Sequence, residues 1–378
     1  MTELSATFAD SKKHFLILDA LRGVAAITVV VFHVLEVYSG GDHVAQLINH
    51  GYLAVDFFFM LSGYVMAHAY DDRWDRMTLK DFFKRRLIRL HPMIILGMTV
   101  GALCFYFGES DYFPKIADTT VWQLIIVTLI GYTLLPLPKS MDIRGWSEMH
   151  PLNGPAWSLF LEYIANVLHA FILRKLSRLI LGILVFIAGA ALIHLAVTSP
   201  NGDLIGGWAL DAEQLRIGFT RLMFPYMAGM LLRRVVRVNE GRSTFLLTSF
   251  LLVLVLVFPR IGGYDNKWAN GLYDSLSVII MFPIIVYLGA IGQVKGAFAE
   301  KTCKFLGDIS YPIYILHFPF TYVFYAWVTE NSIPIGQGAA VGMVLLLLMI
   351  IFSYAALKLF DEPVRKYLVG RFMRSQRK

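Results

Sequence analysis

An arginine and a histidine share one face of the first long apolar stretch. The run Leu18-Asp19-Ala20-Leu21-Arg22-Gly23 is followed by His33, eleven residues after Arg22. At ~100° per residue, that spacing makes three helical turns plus ~20°, with ~16 Å of rise. The face thus carries a cation at one depth and an imidazole at another, which suits a long ligand with an anionic head. Imidazole titrates near neutrality and is the natural general base for deprotonating a hydroxyl. Glu36, one turn further, can orient the ring or stand as an interfacial carboxylate. The plainer alternative has His33 bonded to a neighbouring helix and Arg22 reaching back to the interface.

Five further constellations carry ionisable or hydroxyl groups inside apolar surroundings. Asp56, in Val55-Asp56-Phe57-Phe58-Phe59-Met60, is a buried carboxylate candidate or the partner of an arginine on another helix. Ser62-Gly63 allows close helix packing. Arg86 and Arg89, in Arg86-Leu87-Ile88-Arg89-Leu90-His91-Pro92, sit at i, i+3 near a helix start. Paired guanidiniums there suit phosphate capture, although a lipid-facing basic anchor has the same pattern. Trp157-Ser158-Leu159-Phe160-Leu161-Glu162 opens another helix: Ser158 and Glu162 face one way, and Trp157 suits an interfacial belt. His317 and the pair Asp361 and Arg365 are weak signals in isolation.

The elements holding these residues are transmembrane helices. The 378-residue chain is 57% hydrophobic and 16% charged, against about a quarter charged in soluble domains. Apolar windows sit near residues 16–38, 51–70, 92–108, 119–137, 153–173, 179–198, 215–232, 243–259, 271–290, 305–328 and 337–358. Most are long enough for the ~30 Å hydrocarbon core, and none alternates as a barrel strand would. The fold class is all-α, a polytopic integral membrane protein. The formal charge of +7 reflects Lys and Arg in short loops, which excludes a nucleic-acid reading and favours anionic lipid. Two cysteines, Cys104 and Cys303, make neither a disulfide framework nor a metal cluster, and no metal is expected.

Basic clusters lie at 84–89, at 174–178, at Arg233, Arg234 and Arg237, at 295–304, and from Arg365 to Lys378. All fall on the cytoplasmic side only if window 119–137 does not cross. Gly131 and Leu135-Pro136-Leu137-Pro138 interrupt it, as suits a broken segment buried in protein. The expectation is ten crossings, one re-entrant segment, and one domain over 1–378 with both short tails cytoplasmic.

Together these motifs, with Tyr311-Pro312-Ile313-Tyr314-Ile315-Leu316-His317, resemble the membrane-bound acyltransferase-3 family, in order from about residue 14 to 367. That family modifies bacterial surface glycans and other secreted acceptors from the inner membrane. The resemblance implies about ten helices and an acyl-CoA donor, acetyl-CoA by default, entering from the cytoplasm. It matches His33 to an essential histidine, read as general base or transient acyl carrier, Arg22 to its basic partner, and Arg86 and Arg89 to a motif holding CoA phosphates. Glu162 matches a glutamate of proposed role, with Asp19, Asp56, Ser62, Trp157, Ser158 and His317 in support. The acceptor it implies is a glycan or glycolipid hydroxyl. Some relatives carry a fused extracytoplasmic domain; none is expected here, and a separate extracytoplasmic partner protein is an open expectation. The rival reading is a secondary transporter or flippase for a polyanionic or lipid-linked solute, which would also use intramembrane His, Arg and Glu with a broken helix.

Overall fold

A computed structural model describes residues 14–236 and 241–373. Arg237 of the third basic cluster, and the ends of both tails, lie outside the described residues. Within them the secondary structure is helical: besides the single turn Lys115–Asp118 and short 3-10 turns, it has eleven helices of more than ten residues when those continued through a π turn count as one. These are α1 (Leu16–Glu36), α2 (Ala54–Tyr70), α3 (Leu79–Tyr106), α4 (Val121–Thr133), α5 (Ala156–Phe171) and α6 (Arg178–Thr198). They continue with α7 (Ala212–Val235), α8 (Phe245–Val257), α9 (Lys267–Ile291), α10 (Ala297–Glu330) and α11 (Ile335–Phe372). Each corresponds to one apolar window of the sequence.

Six of these helices, α1, α2, α3, α6, α9 and α11, are long and apolar enough by themselves to cross a membrane. The expected count of ten therefore does not follow from length and apolarity alone. Helix α7 contains Arg216, Arg221, Arg233 and Arg234, and α10 combines charged residues with Pro312 and Pro319. Such helices are tolerated in a bilayer where neighbouring helices satisfy them.

Loop contacts sort the helix ends into two groups. At the end where α1 finishes, His43 bonds Asp203 at 2.8 Å, Arg260 reaches the carbonyls of His43 and Asn201, and Tyr264 bonds Asp42. At the other end, Arg234 binds Asp71 at 2.7 Å together with carbonyls of the 173–176 turn, and Thr244 bonds the Leu288 carbonyl. Helix α4 belongs wholly to the first group. Lys115, before it, and Asp142, after it, approach to 3.5 Å, so the chain enters and leaves at the same end. Its thirteen residues make about 20 Å of helix, a length α8 shares, so it is the Lys115–Asp142 approach and not length that marks α4 as folding back. Thr120 and Gln123 start it with a capping box, and Leu134 ends it in a left-handed conformation.

Close backbone approach organises the centre. The space a Cβ on Gly23 would need is held by the Leu306 carbonyl of α10, and that on Gly63 by the Tyr226 carbonyl of α7. Small residues thus bring α1 against α10 and α2 against α7, as Ser62-Gly63 led one to expect. Helix α2 is central, with 78% of its apolar window buried, whereas α6 buries only 28%. The exposed side of α6, including Leu179 and Phe186, suits lipid contact.

Candidate active site

The site begins at the end of the bundle where α1 starts. A cavity of about 830 Å³ opens among α1, α2, α3, α5, α10 and α11. Asp19, Arg22, Ser62, Arg86, Arg89, Ser158 and Glu162 all line it, so most of the sequence-derived candidates converge there. Lys304, Asp308, Tyr311, Tyr314, Asp361 and Arg365 line it as well. Its lining carries five cations (Arg22, Arg86, Arg89, Lys304, Arg365) and five carboxylates (Asp19, Glu162, Asp308, Asp361, Glu362). An anion entering here meets individually placed cations, not a net positive field.

Pairing distinguishes those cations. Arg86 is buried and donates through Nη2 to Glu162 Oε1 at 2.7 Å. The same oxygen accepts from Ser62 Oγ at 3.1 Å. Three helices are thereby tied at one carboxylate, and Arg86 is committed to it. Arg22 lies 3.6 Å from Asp19, and Arg365 lies 3.2 Å from Asp361. Arg89 has no hydrogen bond or ion pair among the described residues, although it lines the cavity and is exposed. The expectation of two equivalent phosphate-binding arginines thus divides into one held guanidinium and one unengaged. The reason is helical phase: three residues turn about 300°, so Arg86 meets α5 while Arg89 projects into the opening.

The far end of the cavity closes on Phe58, Ser158 and Tyr314. Ser158 Oγ and the Tyr314 hydroxyl bond each other at 2.7 Å. His33 is not in the lining. It stands beyond His317, with the two rings 5.6 Å apart and nearly parallel, while Tyr314 and His317 are 6.0 Å apart. The cavity therefore reaches Arg22 but stops short of His33, and a layer of Tyr314, His317 and Phe318 intervenes. Pro312 and Pro319 on α10 flank this layer.

His33 Nδ1 is 2.7 Å from Glu36 Oε2. A carboxylate accepts, so Nδ1 carries the hydrogen, and in the neutral ring Nε2 keeps the lone pair. The ring-orienting option for Glu36 is the one observed. Tyr325 completes this group, donating to Glu36 Oε2 at 2.9 Å and to the His33 carbonyl at 2.6 Å. His33 is about a fifth exposed and Glu36 somewhat more, so the dyad is approached from the end where α1 finishes. Tyr325 carries no signal in its own sequence neighbourhood. Only its place eight residues after His317 on the same helix marks it.

Two supporting candidates take other roles. Asp56 is fully buried and receives Arg221 of α7 at 2.6 Å, with further bonds from that guanidinium to the carbonyls of Tyr52 and Gly206. This is the cross-helix arginine pair allowed for Asp56, and it lies outside the cavity. Trp157 is buried: its ring packs on Phe59, and the Arg221 guanidinium lies 5.3 Å from it. Packing the ring against Arg221 satisfies both groups.

The loop between α4 and α5 adds a second acidic site near the dyad. Glu148 is buried and accepts from the Tyr322 hydroxyl at 2.5 Å, and Arg144 stacks over the same ring at 3.6 Å. Burial pushes the Glu148 carboxyl up to about 7. His150 in the same loop is held neutral by burial, its pKa down at about 3. Among the described residues, no three His, Cys, Asp or Glu side chains are grouped to hold a metal ion.

Comparison with known proteins adds an independent line. A family model described as an acyltransferase domain matches residues 15–358. The chain is 35% identical over 167 residues to Protein 2 in picA locus of Rhizobium radiobacter, covering 42% of this chain and 82% of that protein. It is 22% identical over 361 residues to O-acetyltransferase OatA of Staphylococcus aureus strain NCTC 8325. That match takes in 92% of this chain but 57% of the relative, so the chain spans little more than half of it. No solved structure matches the chain.

Proposed function

The chain belongs to the acyltransferase family whose domain matches residues 15–358, and from that premise we propose that it moves an acyl group, acetyl by preference, from cytoplasmic acyl-CoA to a hydroxyl of a surface or lipid-linked glycan. The observation carrying this reading is the arrangement along α1. A cavity with an unengaged Arg89 leads from one end, and the His33–Glu36 dyad faces the other. Two substrates from opposite sides of a membrane need that geometry. The O-acetyltransferase name of the staphylococcal relative supports acetyl transfer to oxygen.

In this reading the chain lies in the bacterial inner membrane with ten crossings, α4 re-entrant and both termini cytoplasmic. The basic loops support that orientation. Arg89 meets a CoA phosphate as a point of charge and bidentate bonding. Arg86 holds Glu162 and Ser62 in place along the path. Acyl-CoA supplies the activated thioester.

His33 Nε2 takes the proton of the acceptor hydroxyl as that oxygen bonds to the thioester carbon. Glu36 stabilises the imidazolium that forms, and Tyr325 holds the carboxylate. The carbon–sulfur bond then breaks, the thiolate leaves, and the His33 proton passes to it. The products are the O-acyl ester and free CoA.

The test uses inside-out vesicles given acetyl-CoA labelled in the acetyl group, with envelope glycan as acceptor. Wild type should release CoA and label the glycan. His33→Ala, at equal abundance and thermal stability, should lose at least about a hundredfold in rate. Normal transfer by this variant would overturn the role given to His33. Solute movement by the wild type with no thioester consumed would replace the enzyme reading by the transporter.

A further inference from the structure

His317 is fully buried on α10 and is not a satisfied core histidine. Its Nδ1 lies 2.8 Å from the Tyr314 carbonyl and 3.1 Å from that of Ile313. Carbonyl oxygens only accept, so Nδ1 carries the hydrogen. Nε2 is left with a lone pair and no partner, shut away from solvent. Leaving a buried acceptor unmet is unfavourable, and native proteins rarely do so without a use for it.

Position narrows that use. His317 lies just outside the cavity lining: its ring is 6.0 Å from that of Tyr314, which closes the cavity, and stacks on that of His33 at 5.6 Å. His33 keeps about a fifth of its side chain exposed, whereas His317 has no exposure. Tyr314 adjoins both the cavity and His317, so a group advancing along the cavity past this tyrosine is the one His317 can meet. Stacked imidazoles 5.6 Å apart resist carrying two positive charges in a low-dielectric interior. With His33 taking a proton during transfer, His317 is suited to stay neutral and accept a hydrogen bond.

We infer that His317 binds the acyl donor, its Nε2 accepting the N–H of the pantetheine amide nearest the thioester. The inference rests on the acyl-CoA reading above. An acyl thioester carried to His33 draws its adjacent secondary amide into a layer walled by Phe58, Phe318 and Tyr314. In that layer the amide N–H loses water and requires an acceptor. The hydroxyls of Ser158 and Tyr314 are tied to each other and to the Pro155 carbonyl, whereas the His317 lone pair has no partner at all among the described residues. His317 supplies the acceptor that the ligand lacks, and the ligand supplies the donor that His317 lacks.

The experiment compares acetyl-CoA with an analogue whose cysteamine amide N–H is replaced by an ester oxygen. Both are given to wild type, His317→Ala and His317→Gln in membrane vesicles with acceptor. The inference expects wild type to lose roughly tenfold or more in kcat/KM with the analogue. His317→Ala should show a similar loss with acetyl-CoA and no further loss with the analogue. His317→Gln, whose side-chain carbonyl can reach the Nε2 position, should recover a clear part of both the rate and the discrimination. Equal use of the two donors by wild type would overturn the inference while leaving the acyl-CoA reading intact. So would independent, multiplicative losses in His317→Ala. If wild type consumed neither donor, the reading itself would fall and the inference with it. Because the wild-type arm decides by itself, poor folding of a variant leaves the test standing.

Discussion

Arg86 and Arg89 stand three residues apart on one helix, but among the described residues only Arg86 has a hydrogen-bond or ion-pair partner. Replacing Arg86 by Gln leaves Glu162 without its cation in a partly buried setting. The expected result is a fall in stability of about 2–4 kcal/mol, read by unfolding in detergent. Arg89→Gln removes no bond within the described residues, so stability should hold while KM for acyl-CoA rises about tenfold. Equal thermal behaviour of the two variants would contradict this division. Glu148 provides a pH test at the same scale. Its carboxyl is raised from 4.5 to about 7 by burial, so the folded protein keeps a proton that the unfolded chain has released. Stability from this group therefore falls as pH rises from about 4.5 to about 7, by about 3 kcal/mol at most. Glu148→Gln should be increasingly stabilised relative to wild type between pH 5 and pH 8. A difference that stays flat with pH would show that the carboxyl is not held protonated.

Helix pairing is carried by small residues and by one buried ion pair. Gly63 and Gly229 each have the opposite helix backbone where a Cβ would stand: Tyr226 for the first, Met60 for the second. Valine at either position must push α2 from α7. We expect at least about 2 kcal/mol lost and lower yield of folded protein, checked by size-exclusion chromatography and thermal unfolding. Asp56 and Arg221 lock the same helices further along. Asp56→Ala should cost about 3–5 kcal/mol because it leaves a buried guanidinium uncompensated. Removing both with Asp56→Leu and Arg221→Met should restore only part of that. The Tyr52 and Gly206 carbonyls bonded by Arg221 would then lack their donor. Full recovery in the double variant would show that those two bonds contribute little.

At the scale of the whole molecule, α4 is a fold-back supporting the end of the bundle where α1 finishes. Single cysteines at Lys115 and Lys139, in a background lacking Cys104 and Cys303, should react with a membrane-impermeant maleimide from one side. A cysteine at Arg76 should react from the other. Labelling of 115 and 139 from opposite sides would mean that α4 crosses, and the crossing count would change. The cavity and the dyad then lie on the two faces of one barrier, and the Tyr314–His317–Phe318 layer is what separates them.

What the sequence alone determined is what depends on local composition and helical phase. It located eleven apolar segments, read the broken character of 119–137, and identified Arg22, Arg86, Arg89, Ser158 and Glu162, which line one cavity. Periodicity reports these because each helix repeats every 3.6 residues whatever surrounds it. It also left Glu36 next to His33, a pairing within one turn. Only the tertiary structure decided which cation meets which carboxylate. Arg86 with Glu162, Asp56 with Arg221, Tyr325 with Glu36 and Tyr322 with Glu148 join residues 76 to 289 positions apart. No periodicity relates such pairs; they follow from helices brought close where glycine leaves room. The vacant lone pair of His317 was hidden for the same reason, since a missing partner is visible only once every neighbour is in place.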